Sequence, residues 1–242
     1  MTQLSVNINK VALIRNARGS NLPDLVKVAK DIEAFGGQGI TVHPRPDERH
    51  IHYADIAPLL EVVTTEFNIE GNPTEDFLKL VLDNPPTQCT LVPDAPGVLT
   101  SNQGWDTIKH KSFLTEVIAR LKAAGIRVAI FLDPEEVQVE GAKIVGADRI
   151  EFYTGPYADN YHKNREEAIA PYTKAAHLAN KIGLGINAGH DLNLDNLTFF
   201  KKNIPGLLEV SIGHALVCDA LYLGLSNVIQ MYLKCLDESH VA

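Results

Sequence analysis

The residues best suited to chemistry in this sequence are histidines, carboxylates and arginines that directly follow short β-branched runs. The stretch GITVHPRPDERHIH, residues 39–52, passes from apolar residues straight into His43, Arg45 and His50. Glu70 lies in FNIEG, Glu151 and Tyr153 in RIEFYTG, Asn187 and His190 in LGINAGH, and His214 ends LLEVSIGH. Asn7 and Asn9 lie in the first such run, Thr100 follows the fourth, and the fifth offers only Asp133. Histidine titrates near neutrality and a carboxylate moves toward neutrality when buried, so these groups can pass protons. A guanidinium grips a phosphate bidentately, which suits Arg18 and Arg45 to phosphorylated substrates. NAGHD and SIGHA each put a glycine directly after a run, near a helix N-terminus, where exposed backbone N–H groups hold an anion. The chemistry these residues offer is proton transfer on a phosphorylated small molecule.

Such residues act together only if the fold brings them together. Eight strand-like runs, beginning with LSVNIN (4–9) and ending with LLEVSIGH (207–214), alternate with segments of helical spacing. The helical segments are 23–35, about 54–64, PTEDFLKLVLDN, WDTIKHKSFLTEVIARLKAAG, PEEVQVEGAKIVG, about 164–182, LDNLTFFKKN and about 220–236. Pro23 and Pro73 suit helix starts, and Glu75 and Asp76 suit an N-terminal dipole. Eight βα units in 242 residues predict an α/β fold, a (β/α)8 TIM barrel over 1–242 as a single domain. The runs read as apolar on both faces, as parallel strands under helices should be. A doubly wound sheet would show a GxGxxG turn after its first strand, and NINKVALIRNARG is not one. In a barrel, the C-terminal ends of all strands meet in one mouth. RNARG is then a loop able to fold over that mouth, and DAPGVLTSNQGW (94–105) is a long loop able to close it.

Each candidate also has a plainer reading. A histidine after a strand can be a loop residue or cap, Glu70 a salt-bridge partner, and the two glycines ordinary turns. Convergence at one barrel end favours the site, because charged side chains are costly to bury without a purpose or partner. A metal is a weaker reading: HIH (50–52) falls in a loop, and the first run reads Asn-Ile-Asn where metallohydrolase barrels carry His-x-His. The net charge of −8 argues against a general nucleic-acid binder. No apolar run reaches the roughly 18 residues that span a bilayer, and MTQLSVNINK lacks the apolar run of a secretory signal. Cys89, Cys218 and Cys235 form no CxxC pair, which fits a reducing, cytoplasmic location.

The motifs VNINKVALIRNARG, GITVHPRPDERHI, FNIEG, LVPD, INAGHDL and VSIGHAL resemble, in order and spacing, the PdxJ family of pyridoxine 5'-phosphate synthases. The resemblance covers nearly the whole chain. It implies a TIM barrel in a homo-octamer that condenses 1-deoxy-D-xylulose 5-phosphate with 3-amino-2-oxopropyl phosphate. Pyridoxine 5'-phosphate, inorganic phosphate and water result, with no metal or redox cofactor. It makes His43 an acid/base catalyst, Glu70 a proton acceptor, His190 a proton donor and Glu151 a transition-state stabiliser. It assigns Arg45, His50 and Thr100 to the deoxyxylulose phosphate, and Asn7, Arg18, Asp191, Gly213 and His214 to the amino-oxopropyl phosphate. Two positions depart from the family's pattern. Asn9-Lys10 stands where better-known members read Asp-His, and Asp191 where some have glycine, so only its backbone role is carried over. The rival readings are a phosphosugar isomerase using Glu70 and His43, a Schiff-base aldolase using Lys10, and a phosphate-binding barrel without catalysis.

Overall fold

In the computed structural model, which describes residues 1–94 and 101–237, eight parallel strands close into a barrel in sequence order. They are β1 (Gln3–Asn7), β2 (Gly39–Val42), β3 (Glu66–Gly71), β4 (Gln88–Leu91), β5 (Arg127–Leu132), β6 (Arg149–Tyr153), β7 (Gly185–Gly189) and β8 (Leu207–Ile212). β8 closes on β1 with Ser211 opposite Ser5. The helices are α1 (Asn9–Asn16), α2 (Leu25–Ala34), α3 (Ile56–Val62), α4 (Glu75–Asp83), α5 (Lys111–Ala123), α6 (Glu136–Ile144), α7 (Gly155–Lys181), α8 (Leu197–Asn203), α9 (His214–Leu223) and α10 (Leu225–Leu236).

Several local expectations change. The segment after β1 is helical: Asn9 opens α1 instead of continuing the strand, and its N–H is donated to Asn7 Oδ1 at 3.0 Å. Pro23 lies outside α2, which Asp24 caps by accepting from the N–H groups of Val26 and Lys27. Likewise Thr74, not Pro73, caps α4 through the Phe77 N–H. The helix read from Trp105 begins at Lys111. The one read from Asn164 begins at Gly155, and Asn164 leaves helical geometry with φ −157° and ψ 91°. The last helix is two, split at Gly224, whose φ of 81° is a conformation glycine tolerates.

The strands alternate cleanly, and this revises the reading of them as apolar on both faces. One set, including Ile40, Ile69, Leu91, Ile130, Phe152 and Ile212, is buried in the apolar layer between strands and helices. Phe152 meets the ring of Tyr172 on α7 edge-on at 5.7 Å. The opposite set fills the barrel with polar side chains. Ser5 and Thr41 hydroxyls lie 2.8 Å apart, Asn68 Nδ2 donates to Thr41 at 3.4 Å, and Thr90 Oγ1 lies 3.0 Å from Asn68 Oδ1. Asn187 Nδ2 reaches across to Gln88 Oε1 at 3.4 Å. At the floor, Arg127 pairs with Glu66, and Arg149 Nη1 donates to Glu209 at 3.2 Å and to Asn187 at 3.2 Å. A buried polar layer is stable only when its members satisfy one another, which this one does by contacts between neighbouring and facing strands.

The floor pairing sets a stability test. Arg149→Met leaves Glu66 and Glu209, both largely buried, without one of their cations. We expect it to cost about 3 kcal/mol, read from denaturant unfolding. An unchanged midpoint would mean that the floor acids need no such partner.

Candidate active site

A cavity of about 490 Å³ opens at the C-terminal end of the barrel. Asn7, His43, Arg45, His50, Glu70, Glu151, His190, Asp191, Gly213 and His214 all line it, although they come from six strand ends. Thr100 lies outside the described residues, as does half of the 94–105 loop read as a closing segment. Arg18 is exposed beyond α1 and does not line the cavity. The RNARG segment instead spends its first residues bracing the loop after β2. Arg15 pairs with Asp55 at 2.6 and 2.9 Å and donates to the His50 carbonyl, which also accepts from Asn16 Nδ2 at 2.8 Å.

His43 follows β2 directly. Its backbone N–H is donated to Asn9 Oδ1 at 2.9 Å, so the start of α1 pins the end of β2. Its Nδ1 lies 3.9 Å from Glu70 Oε2, within ion-pair range and beyond hydrogen-bond length. His50 Nδ1 accepts the Ile51 N–H at 3.0 Å, which leaves Nε2 as the protonated nitrogen of the neutral ring. On the far side, His190 holds a φ of 93°, rare for a residue with a side chain, and its Nδ1 lies 2.5 Å from Asp191 Oδ2. The Asp191 N–H is donated to Thr154 Oγ1 at 3.2 Å, which fixes the backbone just after His190.

Two glycines make room for these groups. A Cβ on Gly189 would lie 2.6 Å from Glu151 Oε1, and one on Gly213 would lie 3.0 Å from Asn7 Cβ. Gly213 leads straight into α9, as SIGHA suggests, so helix N–H groups face the mouth's edge. The other glycine differs from expectation: Gly189 ends β7, and α8 begins only at Leu197. Residues missed from the sequence also line the mouth, among them Arg49, Val92, Ser101, Phe131 and Ser211. Phe131 and Ser211 occupy inward strand positions, a signal that strict alternation could have supplied.

Burial governs the electrostatics. Burial first, then Asp94 and Glu209, push the Glu70 carboxyl up to about 8. Burial and the neighbouring Glu70 drive Glu151 well above the carboxylate range, with the Thr90 hydroxyl at 3.5 Å opposing weakly. Burial, Arg45 and His50 hold His43 well below 6.5, and burial with Arg45 and Lys10 takes His50 to about 4. Near neutrality the mouth therefore holds protons on Glu70 and Glu151 while leaving the His43 and His50 imidazoles free of charge. Burial likewise pushes the Cys89 thiol up, which makes it an inert core side chain. Among the described residues, no three His, Cys, Asp or Glu side chains gather as a metal-holding group.

The Glu70 shift has a measurable sign. Its folded pKa of about 8 exceeds the ordinary 4.5, so the folded protein binds this proton more tightly than the unfolded chain. That stabilisation is complete below the lower value and is lost as pH rises through the upper one. Glu70→Gln stays neutral throughout, so its melting temperature should fall less steeply than wild type from about pH 5 to about pH 9. Parallel curves would mean that Glu70 ionises normally.

The family described as pyridoxal phosphate biosynthesis protein PdxJ matches residues 4–238. A Flavobacterium johnsoniae protein named pyridoxine 5'-phosphate synthase is 64% identical over 97% of this chain and 99% of its own length. A Cytophaga hutchinsonii protein of the same name is 64% identical over 98% and 100%. Among solved structures, the phosphoribosyl anthranilate isomerase of Thermus thermophilus superposes with a TM-score of 0.60 at 10% identity, covering 97% of this chain and 98% of that one, a likeness of fold alone. With a family match across almost its whole length, and with relatives that align from end to end, this chain belongs to the PdxJ family.

Proposed function

We propose that the protein is a pyridoxine 5'-phosphate synthase that joins 1-deoxy-D-xylulose 5-phosphate to 3-amino-2-oxopropyl phosphate. Pyridoxine 5'-phosphate, inorganic phosphate and water are released. The observation that carries this reading is the meeting of His43, Glu70, Glu151 and His190 in one cavity of a PdxJ-family barrel. An amine must attack a ketone and lose water, phosphate must be eliminated, and a ring must close and become aromatic. Each step moves protons to or from carbon, nitrogen or oxygen.

In this reading the uncharged His43 takes the first protons, and its proximity to Glu70 lets the two exchange them. Glu70 accepts protons once ionised. Glu151, protonated beneath the mouth, donates a hydrogen bond to charge that develops on an oxygen. His190 delivers protons to leaving oxygens through Nε2, because Asp191 engages its Nδ1. Arg45 and His50 face the deoxyxylulose phosphate. Asn7, Gly213 and His214 face the amino-oxopropyl phosphate at the start of α9. Arg18 and Thr100 stay with their family assignments to the second and first substrates.

The assembly and location complete the proposal. Exposed Leu221, Tyr222 and Leu223 on α9, with Leu13 and Ile14 on α1, support self-association toward the octamer. Among the described residues, no helix is long and apolar enough to cross a membrane, which is compatible with work in the cytoplasm.

The test mixes both substrates with the protein and a metal chelator, and follows pyridoxine phosphate absorbance and phosphate release together. Equal rises are expected. Glu70→Gln should lose about a thousandfold or more in kcat while keeping its fold by circular dichroism. In wild type, kcat/KM should climb with pH and level off above about 8, where Glu70 is ionised. Full activity of the variant would remove Glu70 from the mechanism. Because Lys10 lines the mouth, a Schiff-base route is the second reading. A covalent adduct trapped by borohydride, without pyridoxine phosphate, would favour it.

A further inference from the structure

Arg45 follows β2 and Asp94 follows β4, with β3 between them, yet Arg45 Nη2 donates to Asp94 Oδ2 at 2.5 Å. Their side chains are only 8% and 6% exposed. Ser101 Oγ donates to the same Oδ2 at 2.7 Å, and Asn72 Nδ2, just beyond β3, donates to the Asp94 carbonyl oxygen at 2.8 Å. One short residue thus ties together the ends of three consecutive strands. Apart from its charge, which helps raise the Glu70 carboxyl, Asp94 has none of the roles assigned above.

Its position relative to the mouth is informative. Arg45 lines the 490 Å³ cavity and also a separate one of about 70 Å³, whereas Asp94 lines only the smaller. Asp94 therefore meets the guanidinium from outside the larger cavity. A buried ion pair contributes little net stability, since desolvation offsets the attraction, so stability alone is a poor reason for this one. Orientation is a better reason. An arginine side chain loses much rotamer freedom when it is immobilised, and a carboxylate that holds it beforehand removes that cost from substrate binding. Pro44 and Pro46 on either side of Arg45 restrict the backbone in the same sense.

We infer that Asp94 is a positioning residue, which holds the Arg45 guanidinium ready for a phosphorylated substrate and couples the loop after β2 to Ser101. Its role rests on the proposed function, in which Arg45 meets the deoxyxylulose phosphate. Asp94 acts through Arg45 and touches no reacting atom.

The test is the Kd of 1-deoxy-D-xylulose 5-phosphate by titration calorimetry, with turnover and melting temperature measured on the same preparations. Asp94→Asn should weaken binding about tenfold, and Asp94→Glu should recover to within about threefold of wild type. Ser101→Ala should weaken it about twofold to threefold. The decisive comparison is Arg45→Met against Arg45→Met/Asp94→Asn, whose affinities should agree within about twofold. Wild-type affinity in Asp94→Asn would overturn the inference. So would a further tenfold loss in the double variant, which marks a general structural effect, or failure of the wild type to bind. If Asp94→Asn does not fold, Ser101→Ala decides, and an unchanged Kd there rejects the role. Binding with the expected pattern but no pyridoxine phosphate would sink the proposed reaction and leave the positioning role standing.

Discussion

The mouth depends on the hydrogen-bonded polar interior of the barrel beneath it. TIM barrels usually fill this space with layers of branched apolar side chains. Here Ser5, Thr41, Asn68, Gln88, Thr90, Asn187 and Glu209 occupy it and partner one another. Glu151 can be buried at the top of this column because Thr90 lies against its carboxyl and because it stays protonated. Removing the layer's polarity would strand the acids above it, and leaving any member unpaired would cost the whole desolvation of that group.

The same burial separates the protonation states that acid/base chemistry needs. A carboxyl and an imidazole held 3.9 Å apart would, in water at neutral pH, form an ordinary charged pair. In the mouth, burial penalises both charges, and the arginines penalise that of the imidazole further. The proton moves from the ring, where water would leave it part of the time, to the acid. Environments that push two titratable groups in opposite directions are how one cavity comes to hold an acid and a base together.

Above this column, the mouth is held by contacts between segments that follow different strands. Asn9 at the start of α1 fixes His43 after β2, Arg15 and Asn16 at the end of α1 fix the carbonyl of His50, and Asp94 fixes Arg45. The inserted helix α1 thus works as a brace for the loop after β2. Loops that carry chemistry on a rigid barrel need such braces, because errors in placement translate directly into lost rate.

Much of this was legible in the residues alone. Eight β-branched runs alternating with helical segments predict parallel strands with a crossover helix each, and their number, without a GxGxxG turn after the first, points to the barrel rather than a doubly wound sheet. The strand-end positions of His43, Glu70, Glu151, His190 and Gly213 then place them in one mouth, as the cavity bears out. What stayed hidden depends on partners far away in sequence. That α1 replaces a loop depends on Asn7 and the β2 loop receiving it, and that the barrel interior is polar depends on which face of each strand meets the others. The exposure of Arg18, the 3.9 Å gap between His43 and Glu70, and the pairing of Arg45 with Asp94 are likewise outcomes of packing. Sequence by itself determined the order of elements and the kinds of side chain at the strand ends, since periodicity and turn chemistry are local. Tertiary structure decided which of those side chains are buried, which are paired and where their protons reside, since burial and Coulomb terms are set by neighbours that only folding brings near.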